Sequence, residues 1–590
     1  MSSKTTLTRG SKLVCNISST KYEIVRHVCK KIFNWKLSYE EESEDWDVFW
    51  TDSAVQPEKL ARMHHYQRIN HFPGMYLVSR KNYLAFNLGK LRKLFPTSYN
   101  FFPKTWVVPC DMGDLKAFMS SKKSPYVIVK PEASCQGRGI YLTKKFEDIN
   151  TDEKHVIQEY LTKPYLIDDL KFDLRIYVLV TSCDPLRIFI HEDGLTRFAT
   201  EEYEKPHSSN IDDLCMHLTN YAINKNNPNF IYNEDPEIDD IGHKRSLKST
   251  YEYLQEAGHD VEKIKKRIDD IIIKTLCAVQ PNLSHHYRSC QPEDHSRSMC
   301  FEILGLDVIL DKKLNPYILE VNHTPSFSTD SPLDRVIKKR VISEALTLVN
   351  VSLSNRKKYL KKLKEDILKR SLTGKMDRLS KEEKDEMIAK LGSKKDKFEK
   401  KCSTGYRKIY PIEGSEDYNR FIEAADNIWQ EWTGATKARA KKREIKSPLP
   451  PKPARTLNSF SKPKTQCMQK RMSEGENGLE RPSSTIFERL SQPIIRKYRS
   501  TTTGYFPGVV YDDKKENRKE TVTTLTLETE KFFEKLPEKP QMKPKLRTEM
   551  KYSTPNKPAT HRHVAVSLKE LLTGRPNNTK HRYIDFLLRK

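Results

Sequence analysis

Apolar residues recur over about the first 350 positions at the spacings of both strands and helices. Short apolar runs flanked by turn-forming residues predict strands. These runs are Tyr126–Lys130, His155–Leu161, Phe172–Thr181, Leu186–His191, Phe301–Leu310 and Tyr317–Val321. The segment Val261–Val279 instead has apolar residues at helical spacing, and its face consists of Ile264, Ile268, Ile271, Ile272 and Leu276. This mixture predicts an α+β (mixed α/β) fold over about Leu13–Asn350.

The last two predicted strands are joined by Asp-Lys-Lys-Leu-Asn-Pro, a turn-forming sequence that predicts an antiparallel hairpin. Side chains two apart on a strand share a face, so Glu320 and Asn322 point the same way. A turn centred near Lys313 and Leu314 places Asp307 opposite Glu320. Neighbouring buried carboxylates need a cation between them, and such oxygen ligands suit Mg²⁺ bound with substrate phosphates. The alternative is that one or two of these side chains are hydrogen-bonded strand ends.

A glycine-containing loop follows the first predicted strand. The strand ends in Lys130, and the loop carries Gly137-Arg138-Gly139 before Ile140-Tyr-Leu142. A lysine at the end of a buried strand needs an anion, and glycines let backbone amides approach phosphate closely. An ordinary tight turn explains the glycines equally well, and the loop is not a Walker sequence.

Charged residues alternate with apolar ones at the start of the strand Phe172–Thr181. Lys171, Asp173 and Arg175 share one face, whereas the other face carries Phe172, Leu174, Ile176 and Val178. The polar face is either the floor of a site with two cations for phosphates or a salt-bridge ladder on a half-exposed strand.

Two further segments fit a substrate pocket. Asp193-Gly194 predicts the turn of a hairpin that carries Arg197, a residue able to clamp a carboxylate. The sequence His217-Leu-Thr-Asn-Tyr221 offers several hydrogen-bonding side chains in a row. A surface arginine and capping Thr and Asn residues are the alternatives.

The chain becomes basic and helical after about Pro332. Leu360, Leu363 and Ile367 fall at helical spacing among many lysines, which predicts either a solvated helix or a cationic arm that binds an acidic polymer. Beyond Lys446 a Pro/Ser/Thr/Lys-rich sequence predicts a mostly disordered tail. The whole chain of 590 residues has 105 Lys and Arg against 79 Asp and Glu, a formal charge of +26 that attracts polyanions.

Cysteine usage and hydropathy bear on the compartment. The 11 cysteines are scattered without a Cys-x-x-Cys pair, which favours a reducing environment over a disulfide framework or zinc site. No apolar run approaches the roughly 18 residues of a membrane span, and the first residues lack the apolar core of a signal peptide. We therefore expect a cytoplasmic protein with no membrane partner.

Taken together, these segments resemble the tubulin tyrosine ligase-like family, which has the ATP-grasp fold, and its polyglutamylase branch in particular. The matching stretches are Tyr66–Gly74, Phe102–Trp106, Val129–Pro131, Cys135–Gly139, Lys171–Tyr177, Thr181–Arg187, Gly194–Thr200, His217–Lys225 and Leu319–Phe327. The resemblance spans about Asn16–Asn350.

The resemblance assigns roles to residues of this chain. ATP contacts would come from Lys130, Gln136, Arg138, Gly139, Gln158, Glu159, Tyr160, Leu161, Lys171, Phe172, Asp173, Thr219 and Asn220. The magnesium ligands would be Asp307, Glu320 and Asn322, and Arg175 and Glu320 would take part directly in catalysis. The incoming glutamate would contact Arg197, Tyr221, Lys244 (or Arg245) and His323. His243 stands where relatives carry serine, and Gln136 and His323 resemble members that elongate glutamate chains rather than start them.

The family also implies a reaction, partners and a domain plan. The ATP- and Mg²⁺-dependent ligase would add free L-glutamate to the acidic C-terminal tails of tubulin through an acyl phosphate, as a monomer. It would associate with the cytoskeleton, with cilium, flagellum or basal body as further candidates. Residues 1–350 would form the ATP-grasp catalytic domain, 351–445 a cationic helical microtubule-binding region, and 446–590 the basic tail.

Three alternatives remain at this point. One is a ligase with glycine or tyrosine as donor or with a non-tubulin acceptor, and another is a microtubule-binding protein with an inactive ATP site. The third is a nucleic-acid-binding protein, which is disfavoured because no aromatic RNA platform, zinc finger or recognition helix accompanies the charge.

Overall fold

The structure is a computed structural model that describes residues 12–121, 125–132, 137–235, 237–373 and 380–434. The predicted ATP contact Gln136 and the predicted tail 446–590 lie outside these residues. The strands are β1 (Val14–Ser19), β2 (Lys36–Ser38), β3 (Val48–Thr51), β4 (Arg68–Ile69), β5 (Thr105–Val108), β6 (Val127–Pro131), β7 (Tyr141–Thr143), β8 (His155–Glu159), β9 (Leu166–Ile167), β10 (Leu170–Cys183), β11 (Leu186–His191), β12 (Leu195–Glu202), β13 (Lys244–Ser246), β14 (Glu302–Leu310), β15 (Pro316–Asn322) and β16 (Tyr406–Tyr410).

The α-helices lie between groups of these strands and after them along the chain. They are α1 (Glu23–His27), α2 (Pro57–Arg62), α3 (Tyr76–Ser79), α4 (Lys81–Leu94), α5 (Met112–Met119), α6 (Leu214–His217), α7 (Tyr221–Asn224), α8 (Leu247–Glu256), α9 (Val261–Cys277), α10 (Gln280–Cys290), α11 (Pro332–Val349), α12 (Leu353–Thr373), α13 (Lys381–Lys401) and α14 (Asn419–Trp432). The mixed α/β class predicted from the sequence is confirmed.

Three sheets form the framework. A parallel sheet near the amino terminus has the strand order β2-β1-β3-β4, and a small antiparallel sheet has the order β5-β8-β6-β7. The large central sheet is built around β10, which pairs with β9, β11, β12 and β14. Helix α9 packs its predicted apolar face into the main core, where Ile268 and Ile272 have no exposed surface. A small sheet next to a larger one is the arrangement expected of the ATP-grasp fold.

The predicted strand–loop–strand and hairpin motifs are confirmed. Strand β6 pairs with β7 across the glycine loop, and β14 pairs with β15 across the Asp-Lys-Lys-Leu-Asn turn. Gly137 and Gly139 have φ angles of +80° and +68°, a left-handed conformation that glycine adopts without strain. The structure is therefore compatible with both interpretations of these glycines: an ordinary tight turn, and a loop whose backbone amides approach a phosphate closely.

The hairpin predicted at Asp193-Gly194 is wrong. Strands β11 and β12 do not pair with each other, because both pair with β10. Ile190 lies opposite Val178 and Leu195 lies opposite Arg175, so the extra residues between them form a bulge in one long partner of β10. A Cβ on Gly194 would lie 2.4 Å from the backbone oxygen of Arg175, which explains the glycine at this close approach.

The region after residue 350 is helical in α12, α13 and α14, but it also contains strand β16. This strand pairs with β11 and extends the central sheet, and Phe421 of α14 is buried in the main core. A buried ion pair joins Arg356 of α12 to Asp47 beside β3, at 2.7 Å. Arg356, β16 and Phe421 thus anchor this region to the preceding residues, and Met1–Ile445 are assigned to one compact unit.

The carboxyl-terminal half of α12 exposes its apolar residues to solvent. Ile367 is 55% exposed and Leu372 is 77% exposed, while lysines cover the neighbouring positions. Across the described residues, each helix is too short or too polar to span a lipid bilayer.

Candidate active site

Two rows of charged side chains cross the central sheet at one end of β10. In the first row Glu320 lies opposite Asp307, which in turn lies opposite Arg175. In the second row, two residues along the strand, Asp173 lies opposite Arg197, and Arg197 lies opposite Lys244. Residues at alternate positions share one face of a sheet, so the rows lie side by side.

The two arginines hold the two aspartates in ion pairs. Arg175 donates from Nε to Asp307 Oδ1 at 2.5 Å and from Nη2 to Oδ2 at 3.0 Å. Arg197 donates to both carboxylate oxygens of Asp173, and its Nη2 also lies 2.8 Å from Asp307 Oδ2. Burial would raise the pKa of Asp307, but the two guanidinium groups hold that pKa well below its usual range. Salt bridges of the kind given as the alternative are therefore present, but on a buried strand rather than a half-exposed one, since Asp173 and Lys171 are both buried.

Glu320 has a different environment from Asp307. Burial raises the pKa of Glu320, and the ionised Asp307 opposite raises it further. Its Oε1 accepts a hydrogen bond from Asn322 Nδ2 at 3.1 Å, and the same amide lies 3.3 Å from the oxygen of Gly305. A Cβ on Gly305 would lie 3.1 Å from Arg175 Cδ, so the glycine leaves room for that side chain to reach Asp307.

The predicted magnesium ligands fit a divalent cation. A carboxylate whose pKa is raised by a second carboxylate gains most from a cation placed between them, and oxygen donors are the ligands that Mg²⁺ prefers. The set comprises two carboxylates and one amide, Asp307, Glu320 and Asn322. Among the described residues there is no group of three or more His, Cys, Asp or Glu side chains arranged to hold a metal. The remaining coordination would have to come from phosphate or water.

Two lysines approach this end of the sheet from different elements. Lys130 of β6 donates from Nζ to Gln158 Oε1 at 2.8 Å, and burial lowers its pKa to about 8. Lys171 of β10 donates to Tyr160 Oη at 2.9 Å and to the backbone oxygen of His217 at 2.7 Å, and burial lowers its pKa to about 7. Partly desolvated lysines gain from a bound anion, which restores the ammonium form.

The glycine loop lies against the segment that carries Thr219 and Asn220. A Cβ on Gly137 would lie 2.4 Å from Ile223 Cδ1 and 3.6 Å from Asn220 Cγ. Thr219 is buried, whereas Arg138 and Gly139 are exposed on the loop. The structure thus brings the two predicted nucleotide-binding segments together.

The predicted ATP contacts from β8 and β10 differ in their side-chain positions. Gln158 is buried, Glu159 and Leu161 are partly buried, and Tyr160 packs with Ile128 and Leu142. Phe172 is the exception, because its side chain lies in the main core with Phe198, at 5.5 Å between ring centroids. Any contact of Phe172 with a nucleotide would therefore use its backbone.

Three of the predicted glutamate contacts lie together. Lys244 Nζ is 3.8 Å from the centroid of the Tyr221 ring, and Arg197 is the cross-strand neighbour of Lys244. The alternative residue Arg245 instead pairs with Asp168 at 2.6 Å and covers the Phe198 ring. The geometry favours Lys244 over Arg245 for this pocket.

His323 lies apart from those three residues, beyond the end of β15. Its ring is 5.8 Å from that of His71, and both rings line a small cavity with Asn70, Asp52 and Trp50. His71 lies 2.8 Å from the buried carboxylate of Glu302 and 3.0 Å from the backbone oxygen of Thr51. His323 would therefore face a different part of a substrate from Lys244.

Several residues of this region were missed by the sequence analysis. Asp334 accepts from Lys244 at 2.7 Å and also pairs with Lys338, and Glu302 fixes His71. The Ser331-Pro-Leu-Asp334 sequence is a helix start, because Ser331 accepts from the Asp334 backbone N–H at the beginning of α11. That signal predicts a cap and does not identify a partner for Lys244, which lies 90 residues earlier.

The sequence of this chain is similar to those of a known protein family and of several named relatives. Residues 59–359 match the model of the tubulin-tyrosine ligase family. The chain is 53% identical over 440 residues to "Probable beta-tubulin polyglutamylase" of Tetrahymena thermophila, covering 74% of this chain and 37% of that protein. It is 44% identical to "Tubulin polyglutamylase ttll6" of Danio rerio (72% of this chain, 54% of the relative) and to "Tubulin polyglutamylase TTLL13" of Mus musculus (72% and 52%).

These relatives are longer than the matched part, since the chain spans about half of their length or less. The matched family model nevertheless covers the small antiparallel sheet, the central sheet apart from β16, and both charged rows. The chain belongs to the tubulin-tyrosine ligase family.

Proposed function

We propose that this chain is a tubulin polyglutamylase, which uses ATP and Mg²⁺ to join the amine of free glutamate to a glutamate carboxylate on tubulin C-terminal tails. The observation that carries the proposal is the meeting of Asp307, Glu320 and Asn322 with the cationic groups of Lys130, Lys171 and Arg175 at one end of the sheet. Relatives with this family core carry polyglutamylase names.

The reaction proceeds in two steps. The acceptor carboxylate attacks the γ-phosphorus of ATP, which gives an acyl phosphate and releases ADP. The amine of the donor glutamate then attacks the acyl carbon, and phosphate leaves. Magnesium held by Asp307, Glu320 and Asn322 would neutralise charge on the phosphates.

The chain's own residues bind and orient the reactants. Lys130 and Lys171 supply positive charge to the nucleotide, and Arg175 fixes the Asp307 carboxylate. Stabilisation of developing charge by preorganised groups accounts for catalysis without a nucleophilic side chain.

The donor pocket favours an amino acid with two carboxylates. Arg197 and Lys244 are cross-strand neighbours, so two cationic groups lie within reach of one ligand. An arginine has five N–H donors and a lysine ammonium has three, which leaves N–H groups beyond those bound to Asp173, Asp307 and Asp334. Glutamate has two carboxylates and can pair with both Arg197 and Lys244. Glycine and tyrosine each have one carboxylate and cannot pair with both in this way.

The acceptor is proposed to be acidic because the arm after residue 350 is basic. Exposed lysines of α12, including Lys361 and Lys362, would face the glutamate-rich tails of tubulin. A location on the cytoskeleton follows from that partner, with cilium, flagellum or basal body as candidate sites.

His323 supports elongation of existing glutamate chains over initiation, as the family resemblance implies.

Mass spectrometry of tubulin tails tests the function directly. Tubulin incubated with the full chain, ATP, Mg²⁺ and glutamate should gain glutamyl units, whereas parallel reactions with glycine or tyrosine should add none. Tubulin with its tails removed by protease is the matched acceptor control. Failure to add glutamate to intact tails under these conditions contradicts the proposal.

Charge reversal tests the role of the arm. Lys361→Glu with Lys362→Glu should weaken microtubule binding and flatten its salt dependence, because fewer charge pairs form. The same reversal at the exposed pair Lys30 and Lys31, outside the arm, is the matched control and should leave binding unchanged. Equal loss in both variants would indicate nonspecific attraction by net charge.

A further inference from the structure

A histidine outside the predicted ligand set is buried beside Lys171. His217 ends helix α6 and has no exposed surface. Both ring nitrogens have hydrogen-bond partners: Nε2 lies 2.9 Å from the backbone oxygen of Asn210, and Nδ1 lies 3.0 Å from Tyr160 Oη. The ring is therefore fixed from both sides.

The partners of the ring determine its tautomer. A carbonyl oxygen only accepts, so His217 Nε2 must carry the hydrogen that it donates to Asn210. Burial lowers the pKa of His217, and the nearby Lys171 lowers it further, so the ring is neutral. In a neutral imidazole with hydrogen on Nε2, Nδ1 is an acceptor. The Tyr160 hydroxyl therefore donates to His217 Nδ1.

Because the Tyr160 hydroxyl donates its hydrogen to His217, the lone pairs of Tyr160 Oη remain available to accept from Lys171. Lys171 Nζ donates one N–H to Tyr160 Oη at 2.9 Å and a second to the backbone oxygen of His217 at 2.7 Å. An ammonium group has three N–H bonds, and within the described chain no third hydrogen-bond partner of Nζ is found. Two fixed acceptors set the rotation of the group and so the direction of the third N–H.

We propose that His217 is a positioning residue for the nucleotide: through the Tyr160 hydroxyl and through its own carbonyl it orients the Lys171 ammonium so that one N–H is directed at bound ATP. The inference rests on the proposed ATP site and deepens it. His217 acts through Lys171 and Tyr160, with Asn210 setting the tautomer.

A purely structural role for His217 makes different predictions. Its ring packs edge-on against Tyr160 and Tyr203, at 5.6 Å and 6.0 Å between centroids, so the ring also fills space in the core. If space filling were its whole role, ATP affinity would follow the volume of the substituted side chain. If positioning is its role, affinity follows the presence of an acceptor at the place of Nδ1.

Amide side chains separate the two nitrogens. The Oδ1 of asparagine falls near the place of Nδ1, whereas the amide of glutamine reaches the place of Nε2. His217→Phe keeps the volume and removes both groups. His207, which is exposed in the same loop, provides the matched control as His207→Phe.

Direct binding of a non-hydrolysable ATP analogue to the full chain is the test. We expect His217→Phe and His217→Gln to weaken binding about tenfold, because the Tyr160 hydroxyl loses its fixed acceptor. His217→Asn should stay within about threefold of the unchanged protein, and His207→Phe should bind normally. Tyr160→Phe should weaken binding by a similar factor, and combining it with His217→Phe should add little, because both break one chain of hydrogen bonds.

Several results would overturn the inference. Binding by His217→Phe within twofold of the unchanged protein would do so, as would equal loss in the Asn and Phe variants or full additivity with Tyr160→Phe. Nitrogen-15 NMR of the histidines without nucleotide gives an independent readout, since a hydrogen on Nδ1 at neutral pH contradicts the assigned tautomer. Absence of ATP binding by the unchanged protein removes the proposed function together with this inference, whereas ATP binding without glutamate addition removes only the function.

Discussion

Asp307 lies directly opposite Glu320 across strands β14 and β15, yet the two carboxylates have different partners. Asp307 is held by Arg175 and Arg197, and Glu320 is held by the amide of Asn322. The negative charge of Asp307 is therefore largely compensated within the protein, while that of Glu320 is not. A divalent cation at this pair would interact most strongly with Glu320.

Glu320→Gln should abolish glutamate addition while leaving the fold and microtubule binding intact. Glutamine keeps the size and one oxygen but removes the charge, and metal stabilisation of a transferring phosphoryl group is worth several kcal/mol, so we expect a loss of at least about 100-fold. Glutamate incorporation and microtubule co-sedimentation are measured together. Glu262→Gln, on the exposed face of α9, is the control. Normal incorporation by Glu320→Gln would show that the magnesium assignment is wrong.

ATP affinity should fall as the pH rises above neutrality. Without nucleotide the pKa of Lys171 is about 7 because the group is buried, and bound ATP favours the ammonium form. Binding above pH 7 therefore requires uptake of a proton, and the dissociation constant should rise toward about tenfold per pH unit. Calorimetry in buffers of different ionisation enthalpy measures the uptake. Lys171→Arg stays charged and should flatten the profile; an equally steep profile in that variant would assign the effect to another group.

Removal of the Arg356 side chain should destabilise the whole unit. The guanidinium of Arg356 bonds both oxygens of Asp47, and both side chains are buried, so Arg356→Ala leaves an uncompensated carboxylate. Breaking a buried pair in this way costs about 3–5 kcal/mol. Urea denaturation measures the decrease in the free energy of unfolding. The exposed neighbour substitution Lys357→Ala should change stability by less than about 0.5 kcal/mol.

A double substitution distinguishes charge from packing at this contact. Asp47→Asn combined with Arg356→Met removes both charges and keeps most of the volume, so it should be more stable than Arg356→Ala alone. If the double variant is equally unstable, the cost comes from lost packing of α12 rather than from the unpaired carboxylate.

His243 should lower folding stability in mild acid. Burial lowers its pKa to about 4, and its Nδ1 accepts from the Ile231 backbone N–H at 2.8 Å. The unfolded chain therefore binds a proton below pH 6.5 that the folded chain does not bind until about pH 4, so stability falls as the pH falls through this window. After allowance for solvent screening the loss at pH 5 is about 1 kcal/mol.

Replacement of His243 isolates this contribution from that of other groups. His243→Asn preserves an acceptor for Ile231 and does not titrate, so the difference in denaturation free energy between pH 7 and pH 5 should shrink by about 1 kcal/mol relative to the unchanged protein. An unchanged difference would show that His243 is protonated in the folded state at pH 5.

Local sequence patterns predicted the elements that depend on neighbouring residues. The alternation around Asp307 and Glu320 and the turn between their strands were sufficient to predict their register, which the structure confirms. Asp193-Gly194 was interpreted wrongly because the same dipeptide suits a turn and a bulge, and only the pairing of both flanking strands with β10 decides between them.

Long-range pairs carried no such signal. Glu302 and His71 are 231 positions apart, and Arg356 and Asp47 are 309 apart, so neither partner can be inferred from the sequence around the other. Strand β16 was missed for a related reason, because Tyr406-Arg-Lys-Ile-Tyr410 lies in a basic helical stretch and becomes a strand through its pairing with β11.

The pairing of β16 with β11 also governs how the protein is made. A nascent chain released at residue 350 would have all the other strands of the central sheet but an open edge at β11, which is a template for aggregation. The open edge at β11 can be covered only after the ribosome has synthesised α12, α13 and β16. The end of β16 lies more than two hundred residues after β11. The cationic arm thus lies between two parts of one folding unit, so a truncation that removes the arm would also leave the central sheet without its edge strand β16.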